Sequence, residues 1–116
     1  MKLREVADHL GAQVLAGEEL LDVNVDNVFC TDVMADVLAF ASSDTVLITR
    51  LVNLSVVRSS IMAEVHCVVF SDGILPPANL LHLAETHDIA VMAVKGTMFD
   101  AVNLLMEAGL DDAAWV

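Results

Sequence analysis

Aromatic side chains are scarce in this sequence: only 4% of its 116 residues are aromatic, and tyrosine is absent. A stacking platform for nucleobases or sugars is therefore not expected. Basic residues are nearly as rare, with 5 Lys and Arg against 17 Asp and Glu and a net charge of -12. Holding a polyanion requires clustered Lys and Arg, so neither nucleic acid nor an anionic membrane surface is expected as a partner. The longest apolar runs are about six residues, far short of the roughly 20 that a membrane-crossing helix needs. Lys2, Arg4, Glu5, Asp8 and His9 interrupt the first ten residues, which argues against a signal peptide and for a cytoplasmic protein. The two cysteines, Cys30 and Cys67, sit in apolar runs with no Cys or His at metal spacing and read as buried thiols. Neither a Gly-x-x-x-x-Gly-Lys-Ser/Thr loop nor a Gly-x-Gly-x-x-Gly fingerprint occurs among the five glycines, so nucleotide kinase and dinucleotide chemistry find no support. No cofactor is expected.

What is present is a high hydrophobic content, 57%, with a mean hydropathy of +0.69. Residues 1–116 read as one domain, long enough to bury roughly two thirds of its unfolded surface. Three β-branched runs, Thr45–Thr49, Val65–Phe70 and Ile89–Val94, are each followed by a polar or glycine-bearing turn and an apolar-periodic helix. Strands alternating with helices imply a two-layer or three-layer α/β fold with a mainly parallel sheet of about five strands and flanking helices.

The flanking segments fit that scheme. Leu3, Val6, Ala7 and Leu10 have helical spacing, with Gly11 as a stop; Gln13–Ala16 is a brief apolar run; Val23–Val28 alternates like a strand at a sheet edge. Thr31 and Asp32 are placed to cap a helix to about Ala41, with Val33, Val37, Phe40 and Ala41 inward. Asn53 or Ser55 caps the next helix, which faces inward through Leu54, Val57 and Ile61; Pro76-Pro77 opens another, with Leu80, Leu83, Ala84 and His87 as its buried stripe. The last helix starts at Thr97 and stops at Gly109, leaving Leu110–Val116 as a tail.

Parallel sheets of this kind bind ligands beyond the carboxyl ends of their strands. The three turns place Thr49, Arg50, Asn53, Ser71, Asp72, Gly73, Lys95, Gly96 and Thr97 there, just ahead of helix N-termini whose N–H groups attract anions. Connecting loops with ordinary capping residues would look the same. Asp32 and Asp36 stand four residues apart and could share a metal or act as an acid and base pair, but no further ligand follows, and a capping and a solvated carboxylate explain them better. His9, His66, His82 and His87 lack partners, and Ser71 lacks the flanking glycines of a nucleophile elbow, so no catalytic or metal-binding residue is expected.

The span Thr45–Leu105 resembles a DRTGG domain. Ser71-Asp72-Gly73 before Ile74-Leu-Pro76 occupies the Thr-Gly-Gly position, of which Gly73 is kept literally, and Thr97 occupies the threonine of the last turn; Asn53–Val57 has no Asp-Arg. Leu3–Gly11, Val14–Gly17 and Thr31–Ala39 are similar to a stand-alone branch of that family, often labelled HPr kinase-like and encoded near iron hydrogenase genes. The resemblance implies a fold like the N-terminal domains of HPr kinase/phosphorylase and of Mur ligases, without the separate P-loop catalytic domain of the kinase. It also implies a regulatory, dimerising role, since such domains accompany CBS, phosphotransacetylase or pyrophosphatase domains. The expected function is a non-catalytic regulatory or assembly module that self-associates and senses a small anionic or nucleotide-like ligand. A partner protein in a hydrogenase-related system belongs to the same expectation. The alternative is a small enzyme acting on a phosphorylated or anionic metabolite. A homodimer is expected, because so small a domain cannot hide all of its hydrophobic residues.

Overall fold

The computed structural model of the chain describes residues 1–114. In chain order the elements are α1 (Leu3–Leu10), β1 (Gln13–Ala16), a 3-10 turn (Glu18–Leu20), β2 (Asn27–Cys30), α2 (Met34–Phe40), β3 (Thr45–Thr49), α3 (Leu54–Met62), β4 (Cys67–Phe70), α4 (Ala78–Thr86), β5 (Ala90–Ala93), α5 (Met98–Glu107) and β6 (Asp111–Asp112). They build one six-stranded sheet of order β1-β5-β4-β3-β2-β6. Five strands run parallel, and β1 alone is antiparallel, to β5.

The central strands are continuous apolar runs because both faces of the sheet are covered. Successive side chains point to opposite faces, so Val46 and Ile48, Cys67 and Val69, and Ala90 and Met92 join one core with Leu3 and Val6 of α1 and Ala101 and Leu105 of α5. Leu47, Val68, Phe70 and Val91 join a second core with Val37 of α2, Val56 and Val57 of α3, and Leu80 and Ala84 of α4. The protein is thus a three-layer α/β sandwich. Strands β2 to β5 advance across the sheet in one direction, and right-handed crossovers then put α2, α3 and α4 on one face. The connection after β5 goes to the other face, where α5 crosses back over β3 and β2 to deliver β6.

Several expectations are corrected. The strand expected over Val23–Val28 begins only at Asn27, and β6 covers part of its outer side, so it is not the sheet edge. Val23 and Val25 instead tie down the N-terminus: Leu3 N–H donates to Val23 O at 3.0 Å and Val25 N–H to Met1 O at 2.7 Å. The expected tail contributes Asp111 and Asp112 as β6, while Trp115 and Val116 lie outside the described residues. Helix α2 starts at Met34 with Val33 in the cap position, because the Thr31 hydroxyl accepts the Val33 N–H at 2.9 Å and Asp32 is engaged elsewhere. Val33 and Phe40, expected inward, are exposed, and so is His87 at the end of α4. Asn53, not Ser55, caps α3, accepting the Ser55 N–H at 2.8 Å. Among the described residues no helix is long and apolar enough to cross a membrane.

Candidate functional site

Residues beyond the carboxyl ends of β2, β3, β4 and β5 share one crevice. The connections after β2, β3 and β4 turn toward one face and that after β5 toward the other, so the loops part over the sheet. Register decides which residues meet. Cys30 pairs with Ile48, so two steps further Asp32 lies level with Arg50; Phe70 pairs with Ala93, which sets Asp72 level with Lys95.

Asp32 and Arg50 form the best-defined part of the site. One Asp32 oxygen, Oδ1, accepts the Thr49 hydroxyl at 2.9 Å and the Arg50 N–H at 2.8 Å, and the other accepts Arg50 Nε–H at 3.3 Å. Burial opposes ionisation of Asp32, but the N–H and guanidinium of Arg50 and the Thr49 hydroxyl outweigh it and hold the carboxyl below its ordinary range. The Arg50 side chain is 58% exposed, so the ion pair itself contributes at most about 1 kcal/mol. Its structural effect is larger: Asp32 fixes the guanidinium by Nε, and the terminal amino groups make no hydrogen bond or ion pair among the described residues.

The turn after β4 is built around Asp72, which adopts φ 63° ahead of Gly73 at 69°. Left-handed backbone at consecutive residues suits Asp and Gly. The Ser71 hydroxyl donates to Asp72 Oδ2 at 2.7 Å. Asp72 N–H donates to Gly96 O at 2.7 Å and Gly73 N–H to Val94 O at 3.0 Å, which staples this turn to the one after β5. After β5, Thr97 caps α5 reciprocally: Asp100 N–H donates to Thr97 Oγ1 at 3.1 Å, and Thr97 N–H donates to Asp100 Oδ2 at 3.2 Å.

The structure divides the nine expected site residues into three groups. Arg50, Asp72 and Thr97 line the crevice. Its two hollows have volumes of about 400 Å³, bounded also by Asp32, Leu51 and Ile74, and about 220 Å³, bounded also by Asp32, Met98 and Phe99. Gly73, Lys95 and Gly96 line a separate hollow of about 510 Å³ toward Leu10 and Gln13. Thr49, Asn53 and Ser71 line neither and act from below, as the support of Asp32, the cap of α3 and the support of Asp72. Of the amides expected to hold an anion, those near Gly73, Gly96 and Thr97, the N–H groups of Asp72, Gly73 and Thr97 are already committed to protein acceptors, whereas that of Gly96 has none among the described residues. First-turn N–H groups have no intrahelical partner, and those of Met98 and Phe99 find no other acceptor among the described residues.

Asp32, expected as a helix cap, instead holds Thr49 and Arg50 at the crevice. A usable signal was present: Asp32 follows the run Val28-Phe29-Cys30 just as Arg50 follows β3, so strand-end position marked it. Asp36 stays apart from it on α2, and no group of three or more metal-ligating side chains occurs among the described residues.

No curated protein is significantly similar to the chain. Among solved structures, the CBS and DRTGG domains of the regulatory region of Clostridium perfringens pyrophosphatase, complexed with the activator diadenosine tetraphosphate, match with a TM-score of 0.76 and 20% identity. The match covers 96% of this chain and 48% of that one, so this chain spans about half of its neighbour, and the likeness is one of fold. The model of the DRTGG domain family matches residues 5–108, nearly the whole sequence, and the chain therefore belongs to the DRTGG domain family.

Proposed function

We propose that the chain is a non-catalytic regulatory or assembly module that self-associates and senses a small anionic or nucleotide-like ligand at the crevice between β2, β3, β4 and α5. The observation that carries this reading is Arg50. Its guanidinium is aimed by Asp32, keeps its terminal amino groups uncommitted, and lines the hollow that the first turn of α5 also lines. A preset cation beside free N–H groups is a receptor for acid oxygens. The solved neighbour, a regulatory region crystallised with a nucleotide activator, supports the regulatory class and the nucleotide-like ligand.

An enzyme reading finds less support. General acid–base catalysis calls for a group poised near working pH, whereas the contacts of Asp32 with Arg50 and Thr49 hold its carboxyl below the ordinary range. A partner protein in a hydrogenase-related system in the cytoplasm fits the same proposal, with the exposed side chains of Met62 and Phe99 as apolar anchors. Titration with phosphate, AMP and acetyl phosphate, followed by amide NMR, tests the site. The resonances of Arg50, Ser71 to Gly73 and Gly96 to Phe99 should move first. Shifts centred on Asp36, or none at all, would remove the crevice from consideration.

A further inference from the structure

Two opposite charges in the crevice face the same space without meeting. Arg50 and Asp72 line both hollows, yet no ion pair within 4.0 Å joins them among the described residues. Each has spare capacity. Arg50 spends only Nε on Asp32. Asp72 receives the Ser71 hydroxyl on Oδ2, while Oδ1 has no protein donor among the described residues. Asp72 N–H is committed to Gly96 O, after β5, and Arg50 N–H to Asp32, after β2, so each backbone is tied to the strand on its far side. Apolar side chains flank the charges: Ile74 bounds the larger hollow and Phe99 the smaller, and they are 40% and 72% exposed.

This combination selects by charge pattern. A simple anion on Arg50 would stand close to the Asp72 carboxylate and be repelled by it. A simple cation on Asp72 would face the guanidinium. A molecule carrying both charges close together turns both repulsions into attractions, and an apolar body on it would cover Ile74 or Phe99, whose exposure is otherwise unfavourable. We infer that the crevice binds a small zwitterion, with its acid group on the Arg50 guanidinium, its protonated amine on the Asp72 carboxylate and an apolar remainder against Ile74 or Phe99. A free apolar α-amino acid has this chemistry. The inference rests on the crevice being the ligand site proposed above and replaces the plain anion there by an acid that also carries a protonated amine.

The test uses the full chain and four probes followed by amide NMR: L-leucine, 4-methylpentanoate (leucine without its amine), isoamylamine (leucine without its carboxylate), and AMP. Leucine should shift the amides of Arg50, Asp72 and Phe99 saturably, and each singly charged analogue should bind at least roughly tenfold more weakly, the loss expected for one charge-assisted hydrogen bond. Asp72→Asn, which tolerates the left-handed backbone, should weaken leucine by a similar factor and tighten 4-methylpentanoate, from which it removes the repulsion. If 4-methylpentanoate matches leucine, Asp72 recognises no amine and the inference falls while the anion site stands. If AMP shifts these amides and leucine does not, the nucleotide-like reading stands and the zwitterion is refuted. Silence from all four probes refutes both.

Discussion

Asp32 shows how one carboxylate can be worth more than the ion pair it makes. Thr49 is fully buried, and its hydroxyl and the Arg50 N–H both end on Asp32. Asp32→Ala would strand the buried Thr49 hydroxyl and leave the exposed Arg50 N–H to water, and should cost about 1–3 kcal/mol, the penalty for one unsatisfied buried polar group. Asp32→Asn keeps an acceptor and should cost less. Because the folded protein holds the Asp32 carboxyl below its ordinary value of 3.8, the unfolded chain takes up the proton first as pH falls. The stability it contributes is complete above that value and is lost as pH drops through the lower, folded one. Urea unfolding of wild type and Asp32→Asn at pH 7 and at acid pH should show a gap that closes toward acid; a gap independent of pH would contradict the pairing. The cysteines give a second check. Burial pushes the Cys67 thiol up to about 12, while burial and the charges of Asp112 and Asp32 raise that of half-buried Cys30. Alkylation at pH 8 should spare Cys67 in the native protein, reach Cys30 slowly, and modify both once the chain is unfolded; rapid native labelling of Cys67 would contradict the core.

At the scale of elements, the ends of helices and strands carry the specification. Thr97 and Asp100 close the first turn of α5 on each other, so Thr97→Ala should cost about 1 kcal/mol of stability and, by loosening the turn that bounds the smaller hollow, weaken any ligand there. Gly17 is a harder constraint. It adopts φ 79°, and a Cβ placed on it would lie 2.6 Å from the Cα of Ala90 in β5. This close approach lets the chain leave β1 directly against the sheet. Gly17→Ala must move backbone as well as adopt a disfavoured φ, and an unfolding cost above about 1 kcal/mol is expected. Thermal denaturation that leaves the midpoint unchanged would mean that β1 can detach from β5 without penalty.

At the scale of the whole molecule, charge and apolar surface pull against each other. Met62, Phe99 and Leu75 are 72%, 72% and 67% exposed, on a chain of net charge -12. Exposed apolar residues favour association, whereas like charge opposes it over about 10 Å at 0.1 M salt. The expected homodimer should therefore strengthen with ionic strength. Light scattering at micromolar protein should show the mass moving from one chain toward two as salt rises, and Met62→Lys or Phe99→Lys should reverse the change if that residue is in the interface. A single-chain mass at every salt concentration would exclude self-association in this range.

The class of fold, and which residues stand at the carboxyl ends of the strands, could be read from the sequence alone, for a local reason. Thr45–Thr49, Val65–Phe70 and Ile89–Val94 are apolar without alternation, which only a strand covered on both faces tolerates, and each is followed by a turn and a periodic helix. Those signals lie within a few residues of what they describe. What they could not supply was the pairing of segments distant along the chain. That Asp111 and Asp112 extend the sheet beside β2, that β1 runs antiparallel to β5, and that Val23 and Val25 bind the N-terminus are settled by tertiary contacts. The site divides in the same way. Arg50, Asp72 and Thr97 were marked by their strand-end positions, but the loss of the Asp72, Gly73 and Thr97 amides to protein acceptors, and the transfer of Asp32 from a helix cap to Arg50, depend on which loops the sheet brings side by side. A hydrogen-bonding group has one local preference and many tertiary suitors, and register across the sheet chooses among them.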